Sequence, residues 1–457
     1  MRHLIDFCIR LGHSSAVNIV QITPGAGGMY CGNCFRDNAL VTALRQMGHA
    51  ALMVPVYLPL KLDESDQSAG VPIFFGGVNV YLDQKLALHR KLPTWLRRWL
   101  DSPALLRWAG GRAAKTRAED VGDLLFSMLR GEDGNQSREL DELIAWLQAQ
   151  PQRPDVICLS NALLLGMARQ LRSRLRVPVV CMLQGEDSFL DALPDSHRER
   201  AWQALRERAT EADLFIGPSR YYAEVMRARL RLPEEQVRVV YNGISLDGYR
   251  ETRNAKCDMR NDAGPVLGYF ARMCREKGLD LLMESFIQLK RRGRVPTLQL
   301  RVGGSCGPSD EPLVNQWRER LRAEGLADDV TFHPNLERSR KIEFYRSLTV
   351  FSVPALYGEA FGLYLLEALA CGVPAVQPRC AAFPELIAAT GGGLVCDPVP
   401  LALAETIEHL LLDPGKLRAL GEAGRRSVFE QFSVEQMATN FLAACGQVAK
   451  RNPVPGN

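Results

Sequence analysis

Along almost the whole chain a short apolar run closes on glycine or proline and gives way to a longer stretch with helical spacing. Val17–Thr23 is followed by Pro24 and a cluster of glycines. Cys34–Met47 then has helical spacing and stops at Gly48, and Ala50–Val56 is the next apolar run. A strand, a glycine loop, a helix and a second strand, in that order, predict a parallel sheet with right-handed crossovers. The rhythm continues through strands at Asp155–Ser160, Val177–Leu183, Leu214–Pro218 and Val237–Tyr241, with helices at Ala162–Arg176 and Ser196–Glu211. Residues 245–264 are polar and read as a linker.

A second series follows, with strands at Pro265–Ala271, Thr297–Val302, Val330–His333, Val350–Pro354 and Val373–Gln377. Helices separate them at Leu279–Arg292, Glu311–Glu324, Leu363–Cys371 and Leu401–Leu412. The fold class expected is α/β: two successive doubly wound parallel-sheet domains, each binding ligands at the carboxyl ends of its strands. Ser433 and Gln436 have capping-box spacing and open a last amphipathic helix to about residue 449. The expected divisions are 1–248, 249–431 and 432–457.

Composition removes several classes. A net charge of +4 on 457 residues is too small for a nucleic-acid coat, and no nucleic-acid partner is expected. No run of 18 apolar residues lacks a charge, so no spanning helix is expected. Arg2, Asp6 and Arg10 interrupt what would be the apolar part of a secretory signal, and the scattered cysteines then read as reduced thiols of a cytoplasmic protein. The glycine loop Pro24–Met29 has Tyr30 where a dinucleotide fingerprint needs glycine, and no acid closes the second strand, which argues against a nicotinamide cofactor. No cofactor and no metal are expected: there is no Asp-x-Asp motif, and Cys31-Gly32-Asn33-Cys34 is a lone pair without the further ligands zinc requires.

Two segments carry chemistry. In Ala271–Gly278, Arg272 and Lys277 lie five residues apart across a strand-to-helix loop. A planar fork and a point charge are complementary phosphate binders, although a solvated basic loop has the same composition. In Glu359–Glu367 two carboxylates flank Phe361-Gly362-Leu363 across a helix start, with Glu359 before the helix and Glu367 about one turn inside it. Amides at such an N-terminus attract anions. The helix dipole alone accounts for Glu359, but poorly for an acid on each side of the helix start.

Residues 359–374 closely resemble the Glu-x7-Glu signature of retaining glycosyltransferases of family four, which have the two-domain GT-B fold. Pro24–Met29, Gly217–Ser219, Val240–Ile244, Arg272 with Lys277, and Phe432-Ser433 are similar to other segments of that family in the same order. The resemblance implies two Rossmann-like domains facing a cleft, a donor-side C-terminal domain and a crossing C-terminal helix. It implies that Arg272 and Lys277 hold and stabilise a nucleotide diphosphate, that Glu367 accepts bonds from ribose hydroxyls and that Glu359 binds the sugar. Amides at Phe361, Gly362 and Leu363 and at Gly27 and Gly28 would meet phosphate or sugar, and the base would rest by Asn335 and Leu336. Where family members commonly carry histidine, this chain has Gln184, with Asp187 nearby; both are expected on the acceptor or sugar side.

The partners implied are a nucleotide-diphosphate sugar and a glycan, lipid-linked or small-molecule acceptor. A non-catalytic sugar-nucleotide binder and a sugar-nucleotide epimerase remain as alternatives. Residues 85–117 hold nine cations against Asp101, with Trp95, Trp99 and Trp108 between them. Two readings stay open: a peripheral contact with an anionic membrane, or a surface insertion whose tryptophans pack down.

Overall fold

The computed structural model describes residues 16–25, 32–60, 62, 64–75, 118–250 and 264–451. The basic segment 85–117, Gly27, Gly28 and Cys31 lie outside the described residues, as does most of the expected linker. The chain divides into two compact units, 1–241 with 434–457, and 242–433.

The first unit is built on six parallel strands: β1 (Asn18–Pro24), β2 (Ala50–Val56), β3 (Val156–Leu159), β4 (Val179–Met182), β5 (Leu214–Gly217) and β6 (Val237–Val239). They lie in the order β2-β1-β3-β4-β5-β6. β3, β4 and β5 are buried at every residue, as continuous apolar runs covered on both faces should be. The helix Gly32–Gln46 ends as its sequence predicts: Gly48 adopts φ +85°, and its N–H and that of His49 reach back to the carbonyls of Arg45 and Leu44. The stretch Ala162–Arg176, expected as one helix, is a 3-10 turn at Ala162–Met167 followed by a helix at Ala168–Leu175. Asn161 caps the tighter turn by accepting from the Leu163 N–H. The last helix, Val434–Arg451, belongs to this unit: Met437, Phe441 and Cys445 join Leu40 and Leu44 in one buried cluster.

The second unit repeats the plan with β7 (Val266–Phe270), β8 (Gln299–Gly304), β9 (Val330–Pro334), β10 (Val350–Phe351), β11 (Ala375–Pro378) and β12 (Gly393–Cys396). Their order is β12-β11-β10-β7-β8-β9, and every pairing is parallel. The helix Leu279–Arg292 has the bounds that its periodicity predicts. β10 is shorter than expected, because the chain turns directly beyond it with the Ala355 N–H bonded to the Val353 carbonyl. The unit's two ends lie side by side: the Ile244 N–H donates to the Phe432 carbonyl at 3.0 Å.

Candidate functional site

In the second unit the strand order changes direction between β7 and β10. Loops leaving two such strands diverge, so a crevice opens at their carboxyl ends. The loop after β7 carries Arg272 and Lys277, and the loop after β10 carries Glu359. The first loop is fixed by the Tyr269 hydroxyl, which donates to the Arg272 carbonyl at 2.8 Å, and by the Met273 N–H, which donates to the Ser305 carbonyl at 2.9 Å. Gly278 closes it at φ +74°. A Cβ there would lie 2.0 Å from the Pro354 carbonyl oxygen, so glycine alone lets the Lys277 loop reach the Glu359 loop.

Lys277 and Glu359 meet. The Lys277 ammonium donates to Glu359 Oε2 at 2.6 Å and also to the Tyr357 hydroxyl. Tyr357 and Tyr364 donate to the same carboxylate oxygen at 2.9 and 2.8 Å. An ammonium has three N–H donors, so one remains for a ligand oxygen. Burial alone would push the Glu359 carboxyl's pKa up, but the Lys277 charge and the three donated hydrogen bonds outweigh it and hold it below the ordinary value. Both tyrosines are pushed well up, first by burial and then by the adjacent carboxylate. Neither was singled out in the sequence; the available signal was their spacing, at two residues before and five after Glu359.

Arg272 turns to a different acid. Its guanidinium donates from Nε to both Asp310 oxygens at 3.0 and 3.1 Å, and Nη2 lies 2.8 Å from Oδ1. Asp310 is buried, precedes the helix Glu311–Ala323 and also accepts from the Gly307 N–H at 3.0 Å. The bond to Asp310 raises the Arg272 pKa further above its ordinary value. Each of the two cations is therefore held by its own carboxylate and keeps donors to spare.

Glu367 lies in the helix Leu363–Ala370, and among the described residues each of its oxygens has one partner. Lys341 donates to Oε1 at 2.9 Å and Tyr345 to Oε2 at 2.8 Å. A carboxylate oxygen accepts about two bonds, so acceptor capacity remains for vicinal hydroxyls. The Phe351 ring stands 5.6 Å from Tyr345 and 6.2 Å from Tyr364, so one core aromatic on β10 backs the tyrosines that hold both acids. Between the acids, Phe361 is buried and Gly362, at φ +92°, caps the helix without a side-chain bond to its first amides, which begin at Leu363. Asn335 follows β9 at φ +55°, and its side chain brackets Cys306, accepting from that N–H at 3.1 Å and donating to its carbonyl at 3.0 Å. It shapes the loop beside half-buried Leu336.

The first unit has its own polar cluster, at the carboxyl ends of β1, β3 and β4. Arg36 is fully buried, donates to Asp37 Oδ1 from Nε and Nη2 at 2.9 and 2.8 Å, and reaches the Ser160 carbonyl at 2.6 Å. Its Nη1 donates to Gln184 Oε1 at 2.6 Å. Glu186 accepts from the Gln184 N–H at 2.8 Å, and the Tyr222 hydroxyl lies 2.8 Å from Glu186 Oε2 and 2.9 Å from Asp187 Oδ1. Burial raises the Glu186 pKa despite the bonds it accepts. Arg36, Asp37, Glu186 and Tyr222 were not singled out in the sequence; the available signal was the run Arg36-Asp37-Asn38 directly before the apolar stretch Ala39–Val41 of the same helix. Cys34 is buried, and its thiol donates to the Pro24 carbonyl at 3.1 Å.

Residues 254–427 match the family model described as glycosyl transferases group 1, and residues 126–247 match that of glycosyltransferase family 4. Among curated proteins, the chain is similar to a D-inositol 3-phosphate glycosyltransferase of Xylanimonas cellulosilytica, 29% identical over 253 residues that make up 53% of this chain and 58% of the relative. It is also similar to a GDP-mannose-dependent alpha-(1-6)-phosphatidylinositol monomannoside mannosyltransferase of Mycolicibacterium smegmatis, 29% identical over 58% of this chain and 68% of the relative. The chain thus spans between about half and two thirds of the length of the curated relatives it matches. Among solved structures, sucrose-phosphate synthase from Thermosynechococcus elongatus is similar at TM-score 0.68 and 20% identity, over 95% of this chain and 98% of that one. Anabaena HepE in complex with UDP is similar at 0.67 and 15%, over 94% and 100%. At these identities the likeness is one of fold, and the fold is GT-B.

Proposed function

The chain belongs to the group 1 glycosyltransferases, and on that footing we propose that it transfers a sugar from a nucleoside-diphosphate sugar to an acceptor, with retention of configuration and without a metal. The observation that carries this reading is the meeting of Lys277 and Glu359 at the β7/β10 crevice, with Arg272 on the same loop and Glu367 about one turn inside the helix that follows Glu359.

Breaking the bond between the anomeric carbon and the diphosphate leaves positive charge on the sugar and negative charge on the leaving oxygens. Arg272 and Lys277 are already oriented by Asp310 and Glu359, so they can stabilise that negative charge with little reorganisation. Glu359 offers a held carboxylate to the sugar hydroxyls, and Glu367 offers one to the ribose. The two cations take the place a divalent ion fills in other transferases. Names of the relatives suggest GDP-mannose and UDP-glucose as the first donors to try, and inositol phosphates, phosphoinositides, glycans and other lipid-linked or small molecules as acceptors. A peripheral contact with an anionic membrane through residues 85–117 is part of the proposal and rests on the charge and tryptophans of that segment.

The test is nucleotide release from each donor, with and without acceptor, in the presence of EDTA. Release should persist undiminished in the chelator. Complete loss, restored by magnesium or manganese, would overturn the metal-independent mechanism. Binding of donor with no turnover under any acceptor would favour the non-catalytic reading.

A further inference from the structure

Arginine carries donors and no acceptor. The Arg36 Nη1 that faces Gln184 at 2.6 Å therefore dictates which end of the neutral amide turns inward: the oxygen must face the guanidinium. The NH2 group is forced to the opposite side, and among the described residues it donates to no acceptor. The arrangement is heavily braced. Arg36 is locked by Asp37 and by the Ser160 carbonyl, and Asp37 is in turn fixed by the Thr23 hydroxyl at 2.8 Å. The Gln184 backbone is pinned by Glu186, which also accepts from the Ala162 N–H at 2.9 Å. A buried ion pair costs desolvation and is weak evidence for stability as such, so one whose remaining N–H ends on a half-buried amide at the carboxyl end of β4 calls for another purpose.

We propose that Arg36 is a positioning residue that sets the polarity of Gln184, so that the edge of Gln184 open to substrate presents only N–H donors. The group it meets is an oxygen that accepts, either a sugar hydroxyl or a phosphate oxygen. This deepens the transferase reading and rests on it. The chemistry also explains how glutamine can serve where a histidine would do: a neutral imidazole accepts from Arg36 with one ring nitrogen and donates outward with the other. A glutamate at this position does the reverse. It satisfies Arg36 better than the amide does and presents an acceptor outward.

Gln184→Glu, Gln184→His and Gln184→Leu separate polarity from packing. Two quantities are compared with wild type: the melting temperature, and kcat/KM for release of UDP from UDP-glucose and of GDP from GDP-mannose. Gln184→Glu should melt no lower than wild type yet lose about 30-fold or more in kcat/KM, since a donor edge has become a repelling acceptor. Gln184→His should keep activity within about fivefold of wild type, since its donor edge is preserved. Gln184→Leu should melt lower, since it leaves a buried Arg36 N–H unpaired. Wild-type kinetics for Gln184→Glu, equal losses in the Glu and His variants, or a lower melting temperature for Gln184→Glu would each overturn the proposal. If wild type releases neither nucleotide, the transferase reading fails instead. The order of melting temperatures, Glu above Leu, then still tests the Arg36 contact.

Discussion

Replacing Lys277 with alanine is expected to cause the largest loss of any single change at the β7/β10 crevice. Two costs fall together. The leaving diphosphate loses a charge-assisted contact, worth about 1.5–3 kcal/mol. Glu359, whose side chain is 12% exposed, loses its cation at 2.6 Å and, among the described residues, keeps the two tyrosine hydroxyls. Breaking a buried pair from one side costs roughly 3–5 kcal/mol, because the other charge stays behind. Turnover should fall by about two to three orders of magnitude, and the melting temperature should drop as well. Arg272→Ala should be milder for stability: the guanidinium is 53% exposed, so water can take its place against Asp310, which is itself buried but keeps the Gly307 N–H as a donor.

The stability loss in Lys277→Ala has a pH signature. In wild type the Glu359 pKa is held below its unfolded value, so its contribution is fully present above about pH 4.3 and disappears as pH falls through the folded pKa. Without Lys277, burial becomes the dominant influence and the folded pKa rises above the unfolded one. The variant should then regain stability relative to wild type as pH is lowered from about 7 toward 5. Thermal unfolding of both proteins across that range checks this. A gap in melting temperature that stays constant or widens on acidification would contradict the buried-pair account.

The second large effect divides the two acids. Glu367→Gln should weaken free nucleoside diphosphate and intact donor alike, by about tenfold or more, because the ribose is common to both. Glu359→Gln should cut transfer by about a hundredfold. It should leave free nucleoside diphosphate unaffected or slightly tighter, since the neutral amide no longer balances the Lys277 charge. Loss of turnover beyond loss of donor binding would place the Glu359 interaction mainly in the transition state. Calorimetry of nucleotide and donor with both variants decides it; equal weakening of free nucleotide would contradict the division of roles.

Much of this was legible in the sequence. Alternating apolar runs and helical stretches located most of the strands of both sheets, and the helix start between Glu359 and Glu367 was readable from the motif around it. The polar partners were not legible. Asp310 lies 38 residues from Arg272, Lys341 lies 26 from Glu367, and Gln184 lies 148 from Arg36. Such pairs are brought together only by the order of strands in each sheet, which local periodicity does not encode. Tyr364 reads as one more core aromatic until Glu359 is found 2.8 Å away. The small-residue segment Cys380–Ala382 and the helix Phe383–Thr390 gave no strong periodic signal, and β12 beyond them was missed. The last helix opened at the predicted place, but its membership of the first unit follows from Phe441 and Met437 packing on the helix Gly32–Gln46, a contact across some 400 residues of chain.

If the paired cations and acids of the second unit release a sugar from its diphosphate with retention, the anomer of the first product carries the mark of it. Proton NMR of the sugar first released or transferred from an α-linked donor, UDP-glucose or GDP-mannose, tests it most directly when recorded before mutarotation. The account predicts the α anomer in the initial product, with nucleoside diphosphate formed in equal amount and both lost together in Lys277→Ala; a β anomer in the initial product would contradict it.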